Sequence, residues 1–212
     1  TRTWARLDNG NPLTTTFNYG SNTGELTGVD YSDSTPDMAY TYNRLGQQKT
    51  VTDAVGTRTF AYNSALQPTT ETITGLYSKT ITRDYATTGV VGRNTGFHIG
   101  TEYDVDYGYD AYGRFSTITN GSDVFTYGYL ANSNLIETLT YPSSITSTTS
   151  SATYRNLYTS VDNKYNTTTT ISSYGYSNDP IGRRTTTTRD GTAITSAYSN
   201  TFGYKNRSEV TR

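Results

Sequence analysis

Seven times along the chain two aromatic residues stand one residue apart: Phe17/Tyr19, Tyr40/Tyr42, Phe60/Tyr62, Tyr107/Tyr109, Phe125/Tyr127, Tyr174/Tyr176 and Phe202/Tyr204. In a β-strand, residues i and i+2 point to the same face, so each doublet places two rings side by side on one surface of a sheet. Weaker copies at Ile81/Arg83 and Ala152/Tyr154 fill the gaps. The resulting period of about 23 residues is too short for a self-supporting domain and suits a hairpin plus its connection.

A chain reversal comes after the doublet. In "YGYDAYGRFSTITNG", residues 107 to 121, Asp110 can bond its own backbone two residues on and Gly113 can take a positive φ without steric cost. Arg114 then opens an alternating return strand, where its guanidinium can lie over a tyrosine face or meet the turn carboxylate. Asn43 and Gly46 repeat the pattern after Tyr42, Asn63 repeats it without the glycine, and "NDPIG" with Gly182 and Arg183 repeats it after Tyr176 with one residue added. A second set of turns, "DAVG" at 53 to 56, "NG" at 120 to 121 and "DG" at 190 to 191, reads as hairpin closures. The expected fold is all-β: a continuous antiparallel β-hairpin meander. Residues 1–212 form one array of about nine degenerate repeats, at 17–39, 40–59, 60–80, 81–106, 107–124, 125–151, 152–173, 174–201 and a partial 202–212.

Composition agrees. Of 212 residues only 32% are hydrophobic, while Tyr supplies 21 and Thr is the commonest residue; both suit a pleated, half-buried surface. A net charge of -1 with no basic stripe argues against nucleic acid as a partner. The absence of cysteine excludes disulfides, thiol catalysis and zinc–thiolate sites. No apolar run approaches the ~20 residues of a membrane helix. The chain opens with Thr1 rather than Met and is expected to be an excised or processed piece of something longer.

The recurring Tyr-x-Tyr-Asp-x-x-Gly-Arg pattern followed by a Thr-rich strand resembles the YD repeat, also called the RHS repeat. The best matches are "YGYDAYGRFSTITNG", "YTYNRLGQQKTVTDAVG" and "YGYSNDPIGRRTTTTRDG". The resemblance runs from about residue 15 to the end. It implies a β-sheet strip that, in bacterial toxin complexes and teneurins, coils into a large hollow shell enclosing a toxin fragment or serving cell-surface contact. Nine or so repeats would make only part of such a wall. The family's shells often end in a region where an aspartate pair cuts the chain; Asp179 sits instead in an ordinary turn, followed by Arg183 and Arg184, and takes no catalytic role.

Other candidate chemistry is thin. Glu102, Asp104 and Asp106 alternate on one strand face and could together offer oxygen ligands to calcium, but a solvated face or pairing with arginine on neighbouring strands is the favoured explanation and no metal is expected. His98, the one histidine, lacks a visible acid and nucleophile. No cofactor is implied. Regular tyrosines could stack on sugars, but at strand spacing they serve packing first. The sequence therefore predicts a structural, non-enzymatic module of a secreted or cell-surface protein, acting as wall or fibre. Raw strand edges would be covered by neighbouring repeats of a longer chain or by self-association. A carbohydrate-binding adhesin and a segment of a toxin-enclosing shell are the alternatives, with glycans or enclosed cargo as their partners.

Overall fold

Threonine and tyrosine at alternate positions commit the chain to strands. The computed structural model describes residues 1–153 and 155–211, and contains no helix among them. Tyr154, the second member of the weak pair Ala152/Tyr154, lies outside the described residues. Two compact units are present, Thr1–Asp104 and Val105–Arg212.

The first unit contains β1 (Arg2–Asp8), β2 (Asn11–Tyr19), β3 (Leu26–Tyr31), β4 (Met38–Tyr42), β5 (Gln48–Asp53), β6 (Gly56–Tyr62), β7 (Pro68–Gly75), β8 (Lys79–Tyr85) and β9 (Asn94–Ile99). The second is built from β10 (Tyr103–Tyr109, its first two residues in the first unit), β11 (Phe115–Asn120), β12 (Asp123–Tyr129), β13 (Ile136–Thr140), β14 (Ile145–Ser151), β15 (Tyr158–Tyr165), β16 (Thr169–Asn178), β17 (Arg184–Asp190) and β18 (Tyr198–Thr201). Within each unit every strand pairs antiparallel with the next in sequence, which makes an open meander. A separate two-stranded ribbon, β19 (Gly203–Tyr204) with β20 (Val210–Thr211), ends the chain.

One irregularity recurs. Opposite Tyr42 the return strand carries an extra residue, Lys49, because Thr41 pairs Thr50 while Tyr42 pairs Gln48. The same bulge occurs opposite Tyr19, Tyr62 and Tyr85 in the first unit and opposite Tyr109 and Tyr129 in the second. A bulge bends its strand and increases local twist, so the return strand leaves each turn at an angle its partner would not set alone.

Directly opposed residues of an antiparallel pair share a face, and the pairings sort the side chains by chemistry. One face of the first unit carries Tyr40, Val51, Arg58 and Ile73 in one row and Phe60, Glu71, Ile81 and Ile99 in another. The other face carries threonine: Thr41, Thr50, Thr59, Thr72 and Thr80 form a single row across β4 to β8. Hydroxyls in that row bond each other, at 2.6 Å between Thr41 and Thr50 and 3.1 Å between Thr72 and Thr80. In the second unit Thr117, Thr126, Thr140 and Thr146 repeat the arrangement.

Within each unit, no second layer covers either face among the described residues. Only Val29, Val51, Val105 and Thr15 stand out as buried apolar or polar side chains, and none among the described residues is fully enclosed. The chain exposes 14274 Å², whereas a compact protein of this mass would expose roughly 9,700 Å². Packing is therefore within the layer. The small middle residue of a doublet makes room for a cross-strand threonine: a Cβ on Gly108 would meet Thr117 Oγ1 at 2.2 Å, and one on Gly128 would meet Thr138 Oγ1 at the same distance.

The hairpin turns differ in outcome. Asp53 pairs Gly56 and Asn120 pairs Asp123, closing tight reversals as expected. Asp190-Gly191 does not close one: β17 ends at Asp190 and β18 begins only at Tyr198. Gly191 instead lies against β16, where a Cβ would come 2.4 Å from Ile171 O and 2.7 Å from Ser172 Cα. The glycine there serves backbone contact rather than turn geometry.

Backbone contact is tightest where Gly56 pairs Gly75, since a Cβ on Gly56 would sit 1.9 Å from the Thr74 carbonyl oxygen and its φ is +138°. Gly56→Ala is expected to cost about 1–3 kcal/mol in a thermal or urea melt. Gly121→Ala has nothing within 4 Å, so its loss should be the smaller, about 1–2 kcal/mol for the left-handed backbone alone. Equal losses at the two sites would show that crowding between β6 and β7 does not hold this part of the sheet.

Candidate functional site

The functional candidates of the sequence converge on the turns. At Asp110 one carboxylate oxygen accepts the N–H groups of Tyr112 and Arg114, both at 2.9 Å, while the other accepts Arg114 Nε at 2.7 Å. The backbone closes around it, with Asp110 N–H donating to Arg114 O at 2.9 Å and Gly113 N–H donating to Asp110 O at 3.0 Å. Asp179 repeats this bond for bond with Ile181, Gly182 and Arg183, its side chain meeting Arg183 Nε at 2.6 Å. Asn43 and Asn63 build the same clamp from neutral parts. Their Oδ1 atoms accept the corresponding N–H groups, and their Nδ2 atoms donate to Gln47 Oε1 at 2.8 Å and Gln67 Oε1 at 3.0 Å. The partner positions Gln47 and Gln67 carry no mark in the sequence pattern, because the signal there is the equivalence of an amide pair to an ion pair.

Each clamp has a residue at its penultimate position in left-handed conformation: Gly46 at φ 78°, Gly113 at 81° and Gly182 at 93°. Where glycine is missing, Leu66 adopts it, at 65°. The clamp geometry is held at the expense of backbone preference.

The fifth residue of the clamp also reaches forward. Gln47 Nε2 donates to Leu66 O at 3.0 Å and Gln67 Nε2 to Gly92 O at 2.7 Å. Arg114 donates to Ser133 O, and Arg183 Nη1 reaches Ser208 Oγ at 3.3 Å. Arginine additionally covers the tyrosine that precedes the next turn, Arg114 over Tyr129 at 4.1 Å and Arg183 over Tyr204 at 4.5 Å. The second tyrosine ties the strand as well. Its hydroxyl donates to the first carbonyl of the preceding return strand: Tyr42 to Leu26 O, Tyr62 to Gln48 O and Tyr129 to Phe115 O, each at 2.8 Å, and Tyr204 to Arg184 O at 2.6 Å.

The remaining doublet residues pack against neighbouring strands. Phe17 pairs Val29, and Tyr19 stands largely exposed at the end of β2. Tyr107 and Tyr109 both contact Phe115, at centroid distances of 5.4 and 5.0 Å. Phe125 meets Tyr141 edge-on at 5.8 Å, Tyr127 pairs Leu139, and the turn there, from Leu130 to Leu135, comes after Tyr129. Tyr174 pairs Val161 and Arg189; Tyr176 lies under Arg184 at 4.1 Å, two residues ahead of the bulge at Asn178. Phe202 N–H donates to Thr185 O at 2.8 Å.

Glu102 is ion-paired with Lys79, and Asp104 and Asp106 are exposed. Among the described residues no group of three or more His, Asp or Glu side chains is placed to hold a metal ion. His98 does have an acid beside it, since its Nδ1 lies 3.1 Å from Asp84 Oδ2 on the threonine face. That acid comes from β8, one strand away, which linear spacing did not reveal.

Electrostatics are set by the clamps. Partial desolvation pushes the Asp110 carboxyl up, but the N–H groups of Arg114 and Tyr112 and the Arg114 guanidinium outweigh it and hold the group below the ordinary carboxylate range. Asp179 is held low by the same balance, with desolvation opposed by Arg183 and Ile181. Desolvation raises the Tyr129 phenol, which keeps the proton it donates.

Two solved structures are similar to this chain. One is a crystal structure of TcdB2-TccC3-Cdc42, with a TM-score of 0.51, and the other a crystal structure of TcdB2-TccC3, with 0.50; identity is 16% in both. Each alignment covers 93% of this chain and 10% of the other, so the chain spans about a tenth of the length of those relatives. The likeness is one of fold. No family model and no curated protein matches the chain. No helix among the described residues is long and apolar enough to cross a membrane.

Two outcomes test the clamp. Asp110→Asn and Arg114→Gln singly should each lower the thermal midpoint by about 2–4 °C, whereas the double variant, which recreates the pair found at Asn43 and Gln47, should recover most of the loss. Additive losses in calorimetry would refute the equivalence. Because the folded values of Asp110 and Asp179 lie below the unfolded one of about 3.9, the unfolded chain takes up protons first. Their contribution is complete above about pH 5 and disappears as pH falls through the folded values. The four-residue swap at 110/114 and 179/183 should flatten the acid limb of a stability–pH profile; an unchanged limb would assign acid sensitivity elsewhere.

Proposed function

We propose that the chain is a structural, non-enzymatic segment of a larger RHS-type, YD-repeat protein that is secreted or displayed at a cell surface, where it forms part of a wall. One observation carries this reading. The turn clamps and tyrosine bonds join each hairpin to the next within an uncovered single layer, which is how a strip is reinforced along its length rather than how a globule is closed. The similarity in fold to a tenth of the TcdB2-TccC3 chains supports it, and makes a toxin-enclosing shell the favoured kind of wall over a free fibre.

Edges left open by a meander pair with further strands, either those of a longer chain or those of a second copy. The isolated chain should therefore self-associate. Light scattering is expected to give a mass that rises above 23.4 kDa with concentration. A concentration-independent monomer would remove self-association. Turnover of any member of a glycan and peptide panel would remove the non-enzymatic reading.

A further inference from the structure

The largest departure from the repeat lies at the start of the first unit. Between the pairs Thr3 with Thr14 and Leu7 with Pro12, the three residues Trp4, Ala5 and Arg6 stand opposite Leu13 alone. The other bulges of the meander each add a single residue. A recess of 280 Å³ is lined by residues of this bulge. Its lining is Trp4, Arg6, Leu13, Tyr31, Asp33 and the hydroxyls of Thr14, Thr15 and Thr35.

The walls of this recess are set by bonds on the sheet side. Trp4 Nε1 donates to Thr15 Oγ1 at 2.9 Å, which fixes the edge of the indole, and Arg2 lies over the ring at 3.8 Å. Trp4 is nevertheless 42% exposed. The segment bearing Asp33 is pinned by Ser32, which exchanges bonds with Thr14 at 2.8 and 3.0 Å, and by Asp37, which accepts the Tyr31 N–H at 2.9 Å. Asp33 Oδ1 accepts the Thr35 N–H at 3.0 Å. Thr35, and more weakly the charge of Arg6, hold the carboxyl ionised. The Arg6 side chain makes no hydrogen bond among the described residues, so its donor fork is available.

We propose that this recess binds a pyranose ring of a polysaccharide. Arg2 covers one face of the indole, and the other face offers a flat apolar surface to the C–H face of a sugar, while the Arg6 guanidinium and Asp33 carboxylate on the rim supply a donor and an acceptor for its hydroxyls. The volume fits a single ring at the small end of ligand sites. The site needs only β1 to β3, so it stands whether or not the chain belongs to a wall.

Trp4 is the single tryptophan of the chain, which makes its emission a direct reporter. The full chain is titrated with cellohexaose, with chitohexaose and with an oligogalacturonate of similar length. A saturable change in emission at millimolar concentration or below is expected for at least one of the three oligomers. Calorimetry should show Arg6→Ala and Asp33→Ala each weakening that binding about tenfold, with circular dichroism and melting unaltered. Tyr112→Ala, at an exposed turn tip of the second unit, should leave it unchanged. The proposal fails if none of the three oligomers changes the emission, or if the Arg6 and Asp33 variants bind like the parent.

Discussion

A side-chain oxygen that accepts two backbone N–H groups at once fixes four of the reversals, two in each meander. Asp110, Asp179, Asn43 and Asn63 all do this, and the rest of the arrangement depends on it. The clamp sets where the return strand starts. The start sets the bulge, and the bulge lets the tyrosine hydroxyl meet the first carbonyl of the strand behind it. Were the turn to slip by one residue, every threonine on one face would exchange places with an aromatic on the other. A sheet with no second layer has no core to correct such a slip, so specification has to come from the turns.

Stability in such a sheet is distributed. Burial supplies less than usual, as the exposed area shows, and the apolar side chains that are shielded lie beneath neighbours in their own layer. Cross-strand hydroxyl pairs, stacked guanidinium groups and glycine–threonine contacts each contribute about 1 kcal/mol or less. None dominates. What they share is that each joins adjoining strands, so the energy of the array scales with the number of neighbouring pairs rather than with the volume enclosed.

Much of this was legible in the residues. The doublets predicted strands with rings on one side and small residues on the other, and Gly108 between Tyr107 and Tyr109 does face a threonine. Asp110 with Gly113 and Arg114 predicted a turn in which arginine meets either carboxylate or ring; it meets both. The roles of Gln47 and Gln67 were not legible, since glutamine has no preference strong enough to announce a clamp. Nor was the register near residue 130 evident. Three aromatics alternate at 125, 127 and 129, and the turn after them uses Leu130 and Ser133 in place of an aspartate. The Asp84 partner of His98 and the lifted segment at Trp4 depend on pairing between strands, which no local pattern encodes.

The forward bonds of the clamps all run one way. Gln47, Gln67, Arg114 and Arg183 donate to the turn ahead of them, and Arg155 likewise reaches Asp179 O at 3.3 Å. A ladder of this kind is a vector. Every rung points toward the later turn, so a further repeat of the same kind would lengthen the array without changing its sense of direction.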